Sequence, residues 1–294
     1  MVNAPLHLSG RAAVPALWLQ ANFVQRLALG LGILLLAIVL LAPLIAPFAP
    51  NDQSLLSRLR PPYGFERAKP GYWLGTDELG RDMLSRCIYG LRLTLILAFV
   101  GSMISLLIGA TMGLAAGVVG GRLDALVSGM VDAQIAVPFT LIALFMLAIF
   151  GNSIEVMVLV LGISGWEQYA RIVRADAARL MRMPFIEAAR AAGATPWRIA
   201  RRHLLPNLVS PLVVQFTLSV SNIILLESSL SFLGLGVQPP TATLGAMVGA
   251  GRDYMATSAW IVTVPALAIL LLTFVVQILG DWLRDRADVR LRSR

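Results

Sequence analysis

Long stretches without a charged residue alternate along the chain with short segments crowded with them. Arg26 to Asp52, Arg92 to Arg122, Asp132 to Glu155 and Asp253 to Asp281 bound four intervals rich in Leu, Ile, Val and Ala. A helix needs about 20 apolar residues to cross a hydrocarbon core about 30 Å thick. The intervals therefore predict spans over 27–48, 92–118, 131–150 and 259–281. Two further stretches are less clean. Residues 205–232 are apolar but carry Glu227, and 154–170 have Glu155 near one end and Glu167 near the other. Counting both gives six spans. The first is too long for a signal peptide and has no small-residue cleavage site, so it reads as an anchor. Pro43, Pro47 and Pro50 loosen its end. In the second span Gly109, Gly113 and Gly117 recur on one face. That spacing lets another helix approach closely.

Composition agrees. Of 294 residues, 57% are apolar and 14% charged, against about 45–50% and about 25% in soluble domains. An ordinary soluble enzyme is excluded, and an all-α polytopic membrane protein is the expected class. The net charge of +8 is unevenly placed. Eight arginines (171, 174, 179, 182, 190, 198, 201 and 202) lie between Glu167 and Pro206, five follow Gly280, and Arg11 and Arg26 precede the first span. Six spans put all three segments on one side, which the positive-inside rule makes cytoplasmic; five would separate them. The loop before the second span holds six basic and five acidic residues, and long mixed-charge loops cross largely regardless of charge. The expected organisation is a cytoplasmic N-terminal segment 1–26, a span 27–48, an external loop 49–91, a five-span core 92–283 with a cytoplasmic loop 167–206, and a cytoplasmic tail 284–294.

Several chemistries are absent. Lys69 is the single lysine and Pro70 follows it, so there is no phosphate-holding Walker lysine. Cys87 is alone, which excludes an intrachain disulfide and a cysteine metal site. No carboxylate pair, Ser/His/Asp set or metal spacing stands out. No enzyme, metal or cofactor is expected of this chain, and its basicity reads as topology rather than nucleic-acid binding. His203 reads as a packing residue of the arginine-rich loop; His7 lies in the N-terminal segment.

The punctuation of the 167–206 loop predicts helices. Tyr169–Met183 continues the fourth span. Pro184 suits the first position of a short helix over 184–192, with Glu187 in its first turn and Gly193 at the C′ position after it. Thr195 caps a further helix with Pro196 at its start, running to about His203, and Pro206 opens the fifth span. On the short helix Phe185, Ala188, Ala189 and Ala192 share a face. That face reads either as core packing or as a docking surface for a groove in a cytoplasmic partner.

Glu187-Ala188-Ala189, Gly193, Ile199 and Leu205-Pro206 resemble the EAA loop of bacterial ABC importer permeases. The stretch from Gly75 to Arg86, Gly120-Gly121-Arg122-Leu123-Asp124, Pro138, Glu227 to Pro240 and Leu279 to Asp285 resemble the dipeptide, oligopeptide and nickel subfamily, of the DppC/OppC type. Leu244-Gly245 and Asp288-Val289-Arg290 stand where members of that subfamily often have Trp-Gly and Asp-Pro-Arg. The resemblance implies a type I ABC importer permease fold in a bacterial inner membrane. It implies a second permease of the DppB/OppB type, two ATP-binding subunits that hold ATP and Mg, and an extracytoplasmic solute-binding protein. Phe185, Glu187, Ala188, Ala189, Ala192 and Gly193 would then couple to an ATPase. The alternatives are a stand-alone secondary transporter or channel, for which no internal repeat is visible, and a membrane enzyme, for which no catalytic set is visible.

Polar residues inside the fifth span remain open to two readings. Gln215, Ser219, Ser221 and Asn222 recur at helical spacing, and Glu227 lies near the outer end. They either line a translocation path or hold helices together. Asp132 and Gln134 read as interfacial.

Overall fold

The computed structural model describes residues 23–287. The expectations for residues 1–22, with Arg11 and His7, and for 288–294, with Asp288-Val289-Arg290, lie outside the described residues. Among those described, the structure is helical apart from loops and one isolated β-bridge, Thr76 to Asp82.

The first apolar interval forms α1, Phe23–Leu40, and a short α2, Ala42–Ile45, with Pro43 in its first turn. The span is thus interrupted at Leu41 rather than continuous to residue 48. The second interval forms α3, Met83–Val119, which starts nine residues before the expected position 92. Asp82 caps it, its carboxylate accepting the Ser85 N–H at 2.7 Å. Charges at Arg86 and Arg92 mimic a boundary. Arg86 is instead buried beside Asp77 at 3.4 Å, so the helix runs on into the outer loop.

The third span is not the straight helix expected over 131–150. Gly121–Ala136 (α4) and Phe139–Phe150 (α5) meet at 85°. Pro138 forces the preceding residue out of helical geometry, and Val137 is extended at φ −112° and ψ 129°. The fourth crossing is α6, Ile154–Ile163, followed by α7, Trp166–Leu180, with Gly165 left-handed at φ +79° between them. Carbonyls freed by a break inside a membrane need partners. The Ser105 hydroxyl of α3 serves the carbonyl oxygens of both Gly162 and Ser164.

Pro184–Ala191 forms α8 and Pro196–Ile199 forms α9. A π turn, Ala200–Leu204, then joins α9 to α10, Leu205–Phe232. Pro206 thus stands in the first turn of the fifth span as expected, but no break precedes it. The helix passes through it because the Leu205 N–H bonds to Ala200 O, five residues back, and the Asn207 side chain donates to His203 O at 2.6 Å. Leu244–Gly251 forms α11 and Trp260–Ala287 forms α12. The span α12 starts one residue after the expected 259 and runs six residues past 281.

Direction decides the number of crossings. A Cβ at Gly101 of α3 would meet Leu161, one at Gly113 would meet Ala170, and one at Gly117 would meet Ala177. Both series ascend, so α3 runs parallel to α6–α7. The chain between them must return across the bundle, and α4 with α5 makes that crossing. With the five long apolar helices this gives six. Helix α10 runs the other way, since Ile223 faces Gly101 while Gln215 bonds Gln168. Gly280 lies on Thr217, and Gly32 on Leu279. The start of α1, the loop bearing α8 and the end of α12 thus share one end of the bundle, termed the inner end, and the opposite end the outer.

Residues 46–82 occupy the outer end. Asp77 accepts the backbone N–H of Leu79 and Arg81 at 2.9 Å, and its other oxygen pairs with Arg81 at 2.6 Å. Arg81 also reaches Glu78 at 2.7 Å. Trp260 at the start of α12 donates to Thr76 O at 3.1 Å, which fastens the loop to the bundle. The main core sits between α3, α6, α10 and α12 and includes Leu97, Leu161, Ile223, Ile224 and Val275. A second cluster lies at the inner end.

Candidate functional site

That inner cluster is where α8 attaches. Pro184 provides the first helical position, and Met183 before it is extended at ψ 144°. The helix stops in a Schellman arrangement. Ala194 N–H bonds to Ala189 O at 3.0 Å, and Gly193 N–H to Arg190 O at 2.9 Å. Gly193 has φ +80°, the left-handed geometry the C′ position requires. Thr195 caps α9, its hydroxyl oxygen accepting the Arg198 N–H at 3.3 Å.

Ile186 is 0% exposed and packs with Val173, Ala177, Leu180, Ile199 and Leu204. This ties α8 to the ends of α7 and α10. Phe185, Glu187, Ala188 and Ala192 are exposed, and Ala189 is half-buried. The expected face of Phe185, Ala188, Ala189 and Ala192 therefore splits. Phe185, Ala188 and Ala192 point outward, while Ala189 turns toward the bundle beside Ile186. The Phe185 ring lies 6.0 Å from that of His203, and Trp197 of α9 extends the open surface at 71% exposure. The sequence reading missed Ile186 and Trp197. Ile186 could have been found as the apolar residue three before Ala189, on the opposite side from the exposed set.

A second feature stiffens this end. Arg174 of α7 forms a two-pronged pair with Asp124 of α4, Nη2 to Oδ2 at 3.0 Å and Nε to Oδ1. The glycine stripe of α3 is also explained. A Cβ at Gly109 would lie 2.2 Å from Trp166 O, and one at Gly113 2.4 Å from Ala170 O.

The polar positions of the fifth span do not converge on one surface. Gln215 is buried and donates to Gln168 at 2.6 Å. Ser219 is buried. Glu227 is 0% exposed and accepts the Ser231 hydroxyl at 2.7 Å. It lies where α11 presses on α10, and a Cβ at Gly245 would sit 2.6 Å from Ser228 Cα. That contact explains the glycine after Leu244. Asn222 alone of the four is exposed. Asp132 is exposed on α4.

The family described as "Binding-protein-dependent transport system inner membrane component" matches residues 106–289, more than half of the chain. The chain belongs to that family. The dipeptide transport system permease protein DppC of Haemophilus influenzae is 35% identical to this permease over 295 residues, covering 100% of both chains. The di/tripeptide transport system permease protein DppC of Pseudomonas aeruginosa is 40% identical over 269 residues, 90% of the permease and 89% of the relative. The Escherichia coli K12 protein DppC is 41% identical over 261 residues, 89% and 87% respectively. Among solved structures, an inward-facing MetNI methionine ABC transporter chain aligns with TM-score 0.56 and 23% identity, covering 70% of the permease and 97% of that chain. The permease therefore has the ABC importer permease fold and resides in a bacterial inner membrane as a multi-pass component of a transport system that depends on a binding protein.

Proposed function

We propose that the permease forms half of the translocation path of an ATP-driven importer of di- or oligopeptides. The dipeptide and di/tripeptide roles in the names of its relatives support the substrate class. In this reading it pairs with a second permease of the DppB/OppB type and receives solute from an extracytoplasmic binding protein. Two ATP-binding subunits hold the ATP and Mg; the permease itself carries no cofactor. The inner end is cytoplasmic, since eight arginines lie there, three on α7 and five in the segment that joins it to α10.

The division of α8 is the observation that carries the mechanism. Ile186 locks the helix to the spans, and Phe185, Ala188 and Ala192 are left open. Such a helix fits a cleft of an ATPase with its small residues and one aromatic. When ATP closes the ATPases, a helix so anchored moves with α7 and α10 as a rigid body and tilts the spans between two states. Glu187, in the first turn, favours the helix dipole and offers the cleft a carboxylate. Of the polar positions in α10, Asn222 faces the path, while Gln215, Ser219 and Glu227 hold α10 to its neighbours.

The test is uptake of a labelled dipeptide into proteoliposomes holding the whole complex. Uptake should require the permease, the ATPases, ATP and the binding protein. Uptake that persists without the ATPase subunits would overturn the proposal.

A further inference from the structure

A cavity of about 370 Å³ opens at the outer end of α3, walled by Asn51, Tyr89, Arg92, Leu93, Ile96 and Thr241 among others. Its charge is unbalanced. None of the ion pairs among the described residues includes Arg92, and no hydrogen bond to its guanidinium is formed there. A guanidinium at a cavity wall with no acid opposite it is suited to a planar, bidentate oxyanion contact.

The register of the spans gives the depth of that charge. Gly101 faces Leu161 in a parallel helix, so with equal rise per residue Thr94 is level with Ile154, the first residue of α6. Arg92 thus lies at the outer rim of the layer that the spans cross. Tyr89 stands one turn further out, the depth at which tyrosines sit among headgroups. Further in, the same side of α3 is apolar and open: Ile96 is 46% exposed, Phe99 50% and Val100 38%. The site is therefore amphipathic along the membrane normal, with one cation at the rim and an apolar strip beneath it. A soluble peptide carboxylate would use the cation and waste the strip.

We propose that this cavity binds one membrane phospholipid of the outer leaflet, with its phosphate on Arg92 and an acyl chain along Leu93, Ile96 and Phe99. Asn51, Tyr89 and Thr241 supply further donors to the headgroup. The lipid fills the gap between α3 and the segment after Pro240 that leads into α11.

The test uses the whole transporter, purified in neutral detergent and stripped of lipid. Phosphatidylglycerol is titrated in and bound lipid is counted by native mass spectrometry. Arg92→Gln should weaken the tightest site about fivefold, the effect of one cation near a lipid charge, while Arg92→Lys keeps most of the affinity. Ile96→Trp, which fills the apolar part and leaves the arginine, should also displace lipid and stands in should Arg92→Gln fail to fold. Equal lipid affinity in wild type, Arg92→Gln and Ile96→Trp overturns the proposal. So does competition for the site by free alanyl-alanine, which would make it a carboxylate site. Cross-linking of Ile96→Cys to another subunit also overturns it, since the face would then be covered by protein.

Discussion

At the scale of single residues, two glycines of the same chain should respond oppositely to one methyl group. Gly109→Ala places a Cβ 2.2 Å from the Trp166 carbonyl oxygen, backbone that cannot step aside cheaply. Overpacking of this kind costs about 1–3 kcal/mol, so the Tm of the purified transporter should fall. Gly129→Ala meets nothing within 4 Å and gains helix propensity of up to about 1 kcal/mol; its Tm should hold or rise. Equal losses at both would refute the close-approach account of the stripe. Gly193 fails for a different reason. Its surroundings are open, but φ is +80°, where a side chain costs about 1–2 kcal/mol. Gly193→Val should leave ATP hydrolysis running while dipeptide uptake per ATP drops; Gly193→Asn should be milder, because asparagine tolerates this geometry. Normal uptake per ATP in Gly193→Val would sink the coupling assignment. Gly109 and Gly193 were legible in the sequence, as part of a spacing of four and as a stop after a short helix; Gly129 carried no such signal. Ile186 was harder to read: one apolar residue among alanines gives little periodic signal, and only its place three before Ala189, opposite the exposed set, marks it.

At the scale of elements, α8 has an anchoring side and an open side, and they can be separated. Ile186→Ala removes a fully buried side chain from the inner cluster. Substitutions of this class cost about 2–5 kcal/mol, so Tm should fall. Phe185→Ala acts on a ring that is 44% exposed. Tm should stay near wild type, while stimulation of ATP hydrolysis by the loaded binding protein falls. If Phe185→Ala proved the destabilising change and Ile186→Ala the silent one, α8 would be mounted the other way round. The same contrast explains which elements could be read in advance. The spans at either end of the chain were visible as charge gaps, because hydropathy reports what an interval is made of. It does not report direction. The 85° bend at Pro138 was therefore missed, although the proline itself had been noted. Arg92 misled the start of α3, and Arg86 six residues before it gave no sign of continuing the helix, because the Arg86 partner Asp77 lies in the irregular segment leading into α3. The passage of α10 through Pro206 depends on a π turn and on the Asn207 side chain, neither of which leaves a periodic trace.

At the scale of the whole molecule, the parallel run of α3 and α6–α7 is what fixes the topology, and it makes a prediction that counting hydrophobic stretches does not. If α4 and α5 were a re-entrant turn, residues 151–153 would return to the inner end, and α6–α7 would descend antiparallel to α3. The contacts of Gly101, Gly113 and Gly117 forbid that order. Asn152 should therefore emerge on the same side as Leu56, which is 90% exposed in the outer loop, and opposite to Arg182 at the start of the α8 loop. In a Cys87→Ala background, single cysteines at these three positions can be labelled with a membrane-impermeant maleimide. In right-side-out vesicles Leu56→Cys and Asn152→Cys should react and Arg182→Cys should not; in inverted vesicles the pattern should reverse. Arg182→Cys reacting together with Leu56→Cys while Asn152→Cys stays silent would mean five crossings and would place the α12 end opposite the start of α1. Reversal of all three would keep six crossings but turn the bundle over. The arginine-rich loop would then face away from the cytoplasm, and α8 would have no ATPase to meet.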